Sequence, residues 1–233
     1  VTAGNRPLFR VSHVFLDVDG TLVDYGSAIR AAFLAAAARA SELAGEEVTP
    51  EAINRARASV TYDPAWRGRS ITDQRRESVR RVLAASDAAA DEAAVLAVAR
   101  AYEEARDRSL IVFPDVEEAL AALVSMGLTL IAASNGDVNL DRVGIGHYLS
   151  GTHYAAHVGV SKPDPRFFAL AVERHGVTAS ASLVVGDRLD NDYQPAVAAG
   201  LHAVLIDRAG AVDIEGVLRV AALTDLPALI ERG

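Results

Sequence analysis

The chain has 233 residues, 51% of them hydrophobic, enough to build a sizeable core in one or two domains. Its 31 acidic residues outnumber 23 basic ones, and a net charge of −8 argues against nonspecific binding to nucleic acid or to anionic membranes; an anionic substrate must be held by local positive groups. Cysteine is absent, which excludes disulfides, thiolate metal sites and cysteine nucleophiles.

Val1 to Phe9 has no long apolar region and does not read as a signal peptide. Residues 11–17 read as a buried strand that runs into Asp17-Val18-Asp19-Gly20-Thr21. In extended backbone side chains i and i+2 point the same way, so Asp17 and Asp19 converge at one strand end. Two adjacent carboxylates repel unless a cation or a shared proton offsets them. Taken alone, the stretch is equally an acidic turn.

Residues 27–44 read as a helix with Ile29, Phe33, Ala36, Ala40 and Leu43 on one stripe and Gly45 past its end. Thr49-Pro50-Glu51 supplies an N-cap, a first-turn proline and an early acid for a helix bearing Ile53, Ala56 and Val60. A break follows at 62–69. Thr72 to Ala85 is expected to turn Val79, Val82 and Leu83 inward, with Arg75, Arg76, Arg80 and Arg81 largely on other faces. Asp91 to Arg108 is a further helix, and no strand pattern appears between about 26 and 109.

The rhythm then changes. Pro114-Asp115 opens a helix that stops at Gly127, and Leu128 to Ala133 is a buried strand. The charge-free run Ala119 to Gly136 approaches the minimum length of a membrane span, but Ser125, Gly127, Thr129, Ser134 and Asn135 make it helix end, turn and strand. There follow a helix near 138–143, a strand near 152–157, a helix from Pro165 to His175, and a strand at 183–185. A helix at 191–199, a strand at 203–206 and a final helix from about 225 complete the series. Such alternation predicts an α/β fold, a Rossmann-like parallel sheet with helices on both faces, interrupted by an inserted all-helical block. The expected division is 1–24 with 110–233 as the α/β core and 25–109 as the helical domain.

In such a sheet ligands bind at the C-terminal strand ends. Those ends carry Asp17 and Asp19, then Ser134-Asn135-Gly136, then Gly186-Asp187 with Asp190 and Asp192 behind. Lys162, the only lysine among the 23 basic residues, lies in Ser161-Lys162-Pro163-Asp164-Pro165. A point charge suits a place where a forked guanidinium does not fit, although one lysine in an arginine-rich chain is also what codon bias leaves behind. Carboxylates on two strands suit a hard cation such as Mg²⁺, and a hydroxyl, amides and one ammonium suit a phosphate.

This ordered set resembles the haloacid dehalogenase superfamily of phosphotransferases along the whole chain. The long interval from Asp17 to Ser134, against the short one to Lys162, resembles the subgroup with a helical cap after the first motif. The resemblance implies a nucleophile at Asp17, a general acid and base at Asp19, and Mg²⁺ held by Asp17, the Asp19 backbone carbonyl and Asp187. It further implies that Ser134, Asn135 and Lys162 bind the phosphoryl group, with Thr21, Asp24 and Asp192 in support. In the dehalogenases of this fold the second aspartate of the first motif is replaced, typically by tyrosine, so Asp19 argues for a phosphatase. Phosphonate-hydrolysing relatives use a cap lysine, which this cap lacks. A sugar-phosphate mutase uses the same two aspartates, and a non-catalytic binding protein on this scaffold is expected to carry a damaged first motif.

Specificity is expected from the cap. Tyr25, Trp66, Arg67 and Arg69 are candidates to grip a leaving group, against a solvated loop with Trp66 packed on the cap helices. His153 and His157, in the strand expected at 152–157, read as structural. The expected partner is a small phosphorylated metabolite, with no nucleic acid and no membrane, in a soluble cytoplasmic setting; oligomeric state has no sequence signal.

Overall fold

Two strands, β1 (Phe9–Val11) and β2 (His13–Leu16), replace the single strand expected over 11–17, because the chain changes partners at Ser12. The computed structural model describes residues 7–66, 69–86 and 90–233. After β3 (Val23–Asp24), the Asp24 carboxylate accepts from the Gly26 amide at 2.9 Å and caps α1 (Tyr25–Ala44). Thr49, Ser70 and Asp91 cap α2 (Pro50–Thr61), α3 (Ile71–Ala85) and α4 (Glu92–Ser109) in the same way. β4 (Ile111–Val112) then pairs antiparallel with β3, so the chain enters and leaves the four helices through one ribbon.

The second half contains α5 (Val116–Ser125), β5 (Thr129–Ser134), β6 (Gly151–Tyr154), α6 (Ala155–Val158), α7 (Arg166–His175) and β7 (Ser182–Gly186). It closes with α8 (Gln194–Ala198), β8 (His202–Ile206), β9 (Arg219–Val220) and β10 (Ile230–Arg232). Six strands form one parallel sheet in the order β6-β5-β2-β7-β8-β9. From β2 the order runs to β5 and β6 on one side and to β7, β8 and β9 on the other. β2 therefore marks the switch point, where a parallel sheet opens a crevice at its C-terminal edge.

Strand periodicity divides the core. Val14, Leu16, Leu130, Ala132, Leu183 and Val185 pack with Leu120 and Leu123 of α5 on one face. Phe15, Ile131, Ala133 and Val184 pack with Phe167, Phe168 and Ala171 of α7 on the other. The helices α1 to α4 have their own cluster, in which Ala32, Ala36 and Ala40 meet Val95, Val98 and Tyr102. Alanine at these positions lets α1 approach α4 closely. No helix among the described residues is long and apolar enough to cross a membrane.

Four expectations are corrected. The segment 138–143 is a turn and not a helix, because Asn139 Oδ1 accepts from the amides of Asp141 and Arg142 at 3.1 Å and competes with helical bonding. The strand expected to reach 157 ends at Tyr154, and α6, closed by Gly159 at φ 73°, takes His157 out of the sheet. The helix expected over 191–199 is a π-helical turn, Leu189–Tyr193, followed by α8. In place of a final helix, a 3₁₀ segment, Leu223–Leu229, contains Pro227, and the chain then extends as β10 beside β1.

His153 is fully buried, with Nε2 2.9 Å from the Phe167 carbonyl, which makes Nε2–H the donor. Its Nδ1 is buried with no partner, and burial pushes the imidazole from 6.5 down to about 4. The unfolded chain binds this proton first, so stability is full above about pH 6.5 and falls as pH drops toward 4. His153→Gln is expected to flatten the dependence of the urea midpoint on pH between 7 and 5. An unchanged slope in the variant would assign the acid limb to other groups.

Candidate active site

Pairing of the Asp17 amide with the Val185 carbonyl at 2.9 Å carries β2 to the sheet edge, where Asp17 is 6% exposed. Lys162 reaches the same point from the loop between α6 and α7. Its ammonium, itself 3% exposed, donates to Asp17 Oδ1 at 2.6 Å, Asp192 Oδ1 at 2.5 Å and the Ala133 carbonyl at 3.0 Å. Three converging acceptors suit an ammonium's three donors. Asn135 fixes the lysine's backbone, its amide donating to the Lys162 carbonyl at 2.9 Å and its Oδ1 accepting from the Lys162 amide at 2.8 Å. Ser134 Oγ accepts from the Gly136 amide at 2.9 Å.

The carboxylates around this ammonium outnumber it. Burial, then repulsion from Asp17, pushes Asp19 up to about 7, and the same two causes push Asp187 up to about 6. Asp192 is raised to about 7, again by burial first, against the pull of Lys162. Desolvation opposes the lysine's charge, but Asp17 and Asp192 outweigh it and hold Lys162 above its ordinary range. Two glycines permit the crowding. A Cβ on Gly20, which stands at φ 90°, would strike the Asp187 carboxylate, and one on Gly186 would strike Asp192.

Asp17, Asp187 and Asp192 each offer a carboxylate oxygen within 4.8 Å of the others. An all-oxygen, anionic donor set fits a hard divalent cation. The three are not equivalent. Asp192 already accepts from Lys162 at Oδ1 and from the Arg188 amide at Oδ2, whereas Asp187 Oδ1 is buried without a partner. Asp17 and Asp187 therefore fit the cation, and Asp192 fits the role of holding Lys162. Asp19 Oδ1 and Thr21 Oγ1 are also buried and unpartnered; of Thr21, the main-chain carbonyl is used, accepting from Arg208 at 2.9 Å.

These strand ends line a cleft of about 350 Å³ that includes Asp17, Asp19, Ser134, Lys162 and Asp187. A second hollow of about 180 Å³ lies among the helices, and Asp19, Tyr25 and Asn135 line both. Of the residues expected to give specificity, Tyr25 is thus at the junction, its hydroxyl 3.1 Å from that of Tyr102. Half-buried Trp66 and exposed Arg69 line neither hollow, and Arg67 lies outside the described residues. Arg75 corrects the expectation that it faces away: it is 9% exposed and lines the helical hollow with Arg106. Both guanidinium groups bind Asp137, Arg75 at 3.1 Å and Arg106 at 2.6 Å, and Thr72 donates to the same carboxylate at 3.0 Å. These two arginines hold the Asp137 carboxyl well below its ordinary range against the opposing effect of burial. In sequence, Asp137 beside Ser134-Asn135-Gly136 was the available clue.

Residues 11–200 match the family described as haloacid dehalogenase-like hydrolase. The chain is 36% identical over 126 residues to the glyceraldehyde 3-phosphate phosphatase of Methanopyrus kandleri, covering 52% of this chain and 54% of that one. It thus spans about half the length of that curated relative. Likeness to the ribulose-1,5-bisphosphate 5-phosphatase of Halopiger xanaduensis, 29% identical over 202 residues, covers 83% of this chain and 84% of the other. Among solved structures, a 2-haloacid dehalogenase from Pseudomonas syringae pv. Tomato superposes with a TM-score of 0.81 at 28% identity, over 94% of this chain and 97% of that one.

Lys162→Met removes the charge that offsets Asp17 and Asp192 and is expected to lower unfolding free energy by about 3–5 kcal/mol near pH 8. Asp192, already raised by burial, loses the opposing pull of the lysine and titrates still higher in the folded chain, so the loss shrinks as pH falls and it takes up a proton. Urea denaturation at pH 8 and pH 5 measures both, and an equal loss at the two values would assign the effect to packing.

Proposed function

The chain belongs to the haloacid dehalogenase-like hydrolases, and on that premise we propose that it is a Mg²⁺-dependent phosphatase of small phosphate monoesters that works through a phosphoaspartyl intermediate. The observation that carries this reading is one cleft lined by Asp17, Asp19, Ser134, Lys162 and Asp187, in which Lys162 engages Asp17 and leaves a buried Asp19 oxygen without a partner; burial, then repulsion from Asp17, pushes that carboxyl up to about 7. The phosphatase relatives support it.

In this reading an Asp17 carboxylate oxygen attacks phosphorus as the ester P–O bond breaks, and the departing alkoxide takes the proton of Asp19. Asp19, now ionised, removes a proton from water, whose oxygen attacks phosphorus and releases Asp17 and inorganic phosphate. Lys162 and Ser134 face the transferred oxygens, and Asn135 acts by fixing the lysine. Mg²⁺, held by Asp17 and Asp187, would neutralise charge between the anionic nucleophile and the anionic phosphoryl group. Asp192 and the Arg188 amide keep Lys162 aimed.

A chromogenic phosphate ester assayed with Mg²⁺ and with excess chelator tests the proposal. Phosphate release is expected only with the metal. Asp17→Asn should abolish turnover without unfolding the protein, and Asp19→Asn should lower kcat by about 10²–10⁴-fold. Turnover retained by Asp17→Asn would sink the nucleophile assignment.

A further inference from the structure

The helical hollow above Asp19 is walled by Ile29, Phe33, Ala36, Ile53 and Val79. Apart from Asp19, which the hollow shares with the strand-end cleft and whose Oδ1 has no partner, most polar side chains that reach it have partners inside the protein. The Tyr25 and Tyr102 hydroxyls bond each other at 3.1 Å. Ser78 Oγ donates to the Gln74 carbonyl at 2.7 Å, Thr61 Oγ1 to the Arg57 carbonyl at 2.9 Å, and the Gln74 amide to the Arg69 carbonyl at 3.0 Å. Arg75 and Arg106 are held by Asp137, Glu103 and Asp107. Arg57 differs: it is exposed, donates only to Asn54 at 3.4 Å, and has no carboxylate partner among the described residues.

We propose that this hollow seats the leaving group of the substrate and selects a compact apolar one, a branched alkyl or single-ring alcohol, with any polar end directed to Arg57. The inference rests on the phosphatase reading. Because Asp19, Tyr25 and Asn135 line both spaces, an ester whose phosphoryl group lies at Asp17 extends past Asp19 into the hollow. An apolar cavity of roughly 150 Å³ accommodates a benzene ring, and this one is about 180 Å³. A sugar would bury several hydroxyls against aliphatic walls, where most neighbouring polar groups are already paired within the protein, and each unpaired hydroxyl opposes binding. An apolar body of the same size gains from burial.

Released phosphate is measured with Mg²⁺ for 3-methylbutyl phosphate, glucose 6-phosphate and methyl phosphate, all of which release unactivated alkoxides. The expected kcat/KM for the methylbutyl ester exceeds that for the glucose ester by about 100-fold. Ala36→Leu, which fills the hollow, should lower the methylbutyl-to-methyl ratio about tenfold. Val79→Thr, which adds a hydroxyl at little change in volume, should narrow the methylbutyl-to-glucose preference, and thermal melting verifies that each variant is folded. Equal kcat/KM for the methylbutyl and glucose esters, or ratios unmoved in both folded variants, would overturn the inference while leaving the phosphatase intact. Absence of phosphate release from all three esters would overturn the phosphatase reading and this inference with it.

Discussion

The site depends on one buried ammonium. Asp17, Asp19, Asp187 and Asp192 crowd the ends of β2 and β7, and four carboxylates so placed repel one another strongly. Lys162 meets two of them directly, and a main-chain carbonyl takes its third donor. A guanidinium, planar and forked, does not converge on three acceptors arranged about one point. This explains why a chain that otherwise uses arginine for every cation carries a lysine here. One positive charge does not offset four acids, and burial first, then the remaining repulsion from Asp17, raises Asp19 and Asp187. The site thereby has a carboxyl pushed up to about 7 at Asp19 and a buried oxygen on Asp187 without a partner.

A second network ties the helices to this centre. Asp137 follows Ser134-Asn135-Gly136 at the end of β5, and Arg75 of α3 and Arg106 of α4 both bind it. Pairing of buried charges gives little net stability once desolvation is counted, but it fixes geometry. Here it fixes the side chains between the helical hollow and the β5 end, next to the loop that holds Lys162. The ribbon of β3 and β4 is the covalent connection between the two halves, and the Asp137 cluster is a non-covalent one across the site.

Buried parallel strands were legible in the sequence because they are near-continuous apolar runs bounded by Gly, Ser or Asp, and caps such as Thr49 and Asp91 mark helix starts by the hydrogen bond they make. The strand-end residues were legible because parallel topology makes strand ends converge. What failed was local competition. Asn139 diverts its own backbone into a turn, and Pro227 keeps the last segment from becoming an α-helix, so that Ile230–Arg232 can pair with β1. Arg75 was illegible for a different reason: its inward place depends on Asp137 and Glu103, both distant in sequence, and one arginine among many gives no sign of such partners.

Overall likeness leaves the chemistry open, since one backbone superposes on a haloacid dehalogenase while relatives of comparable identity are phosphatases. The difference must lie in what the leaving group needs. A halide departs from carbon as a weak base and requires no proton, so a dehalogenase gains nothing from an acid beside its nucleophile. An alkoxide departing from phosphorus is a strong base, and its departure is fast only when a proton arrives with it. In general, a second carboxyl beside a carboxylate nucleophile opposes ionisation, a liability for displacement at carbon. In the phosphatase reading, burial and then repulsion from Asp17 push Asp19 up to about 7, while Lys162 donates to Asp17 and not to Asp19. The proposed division of nucleophile and acid between the two aspartates rests on this asymmetry, since only Asp17 touches the lysine.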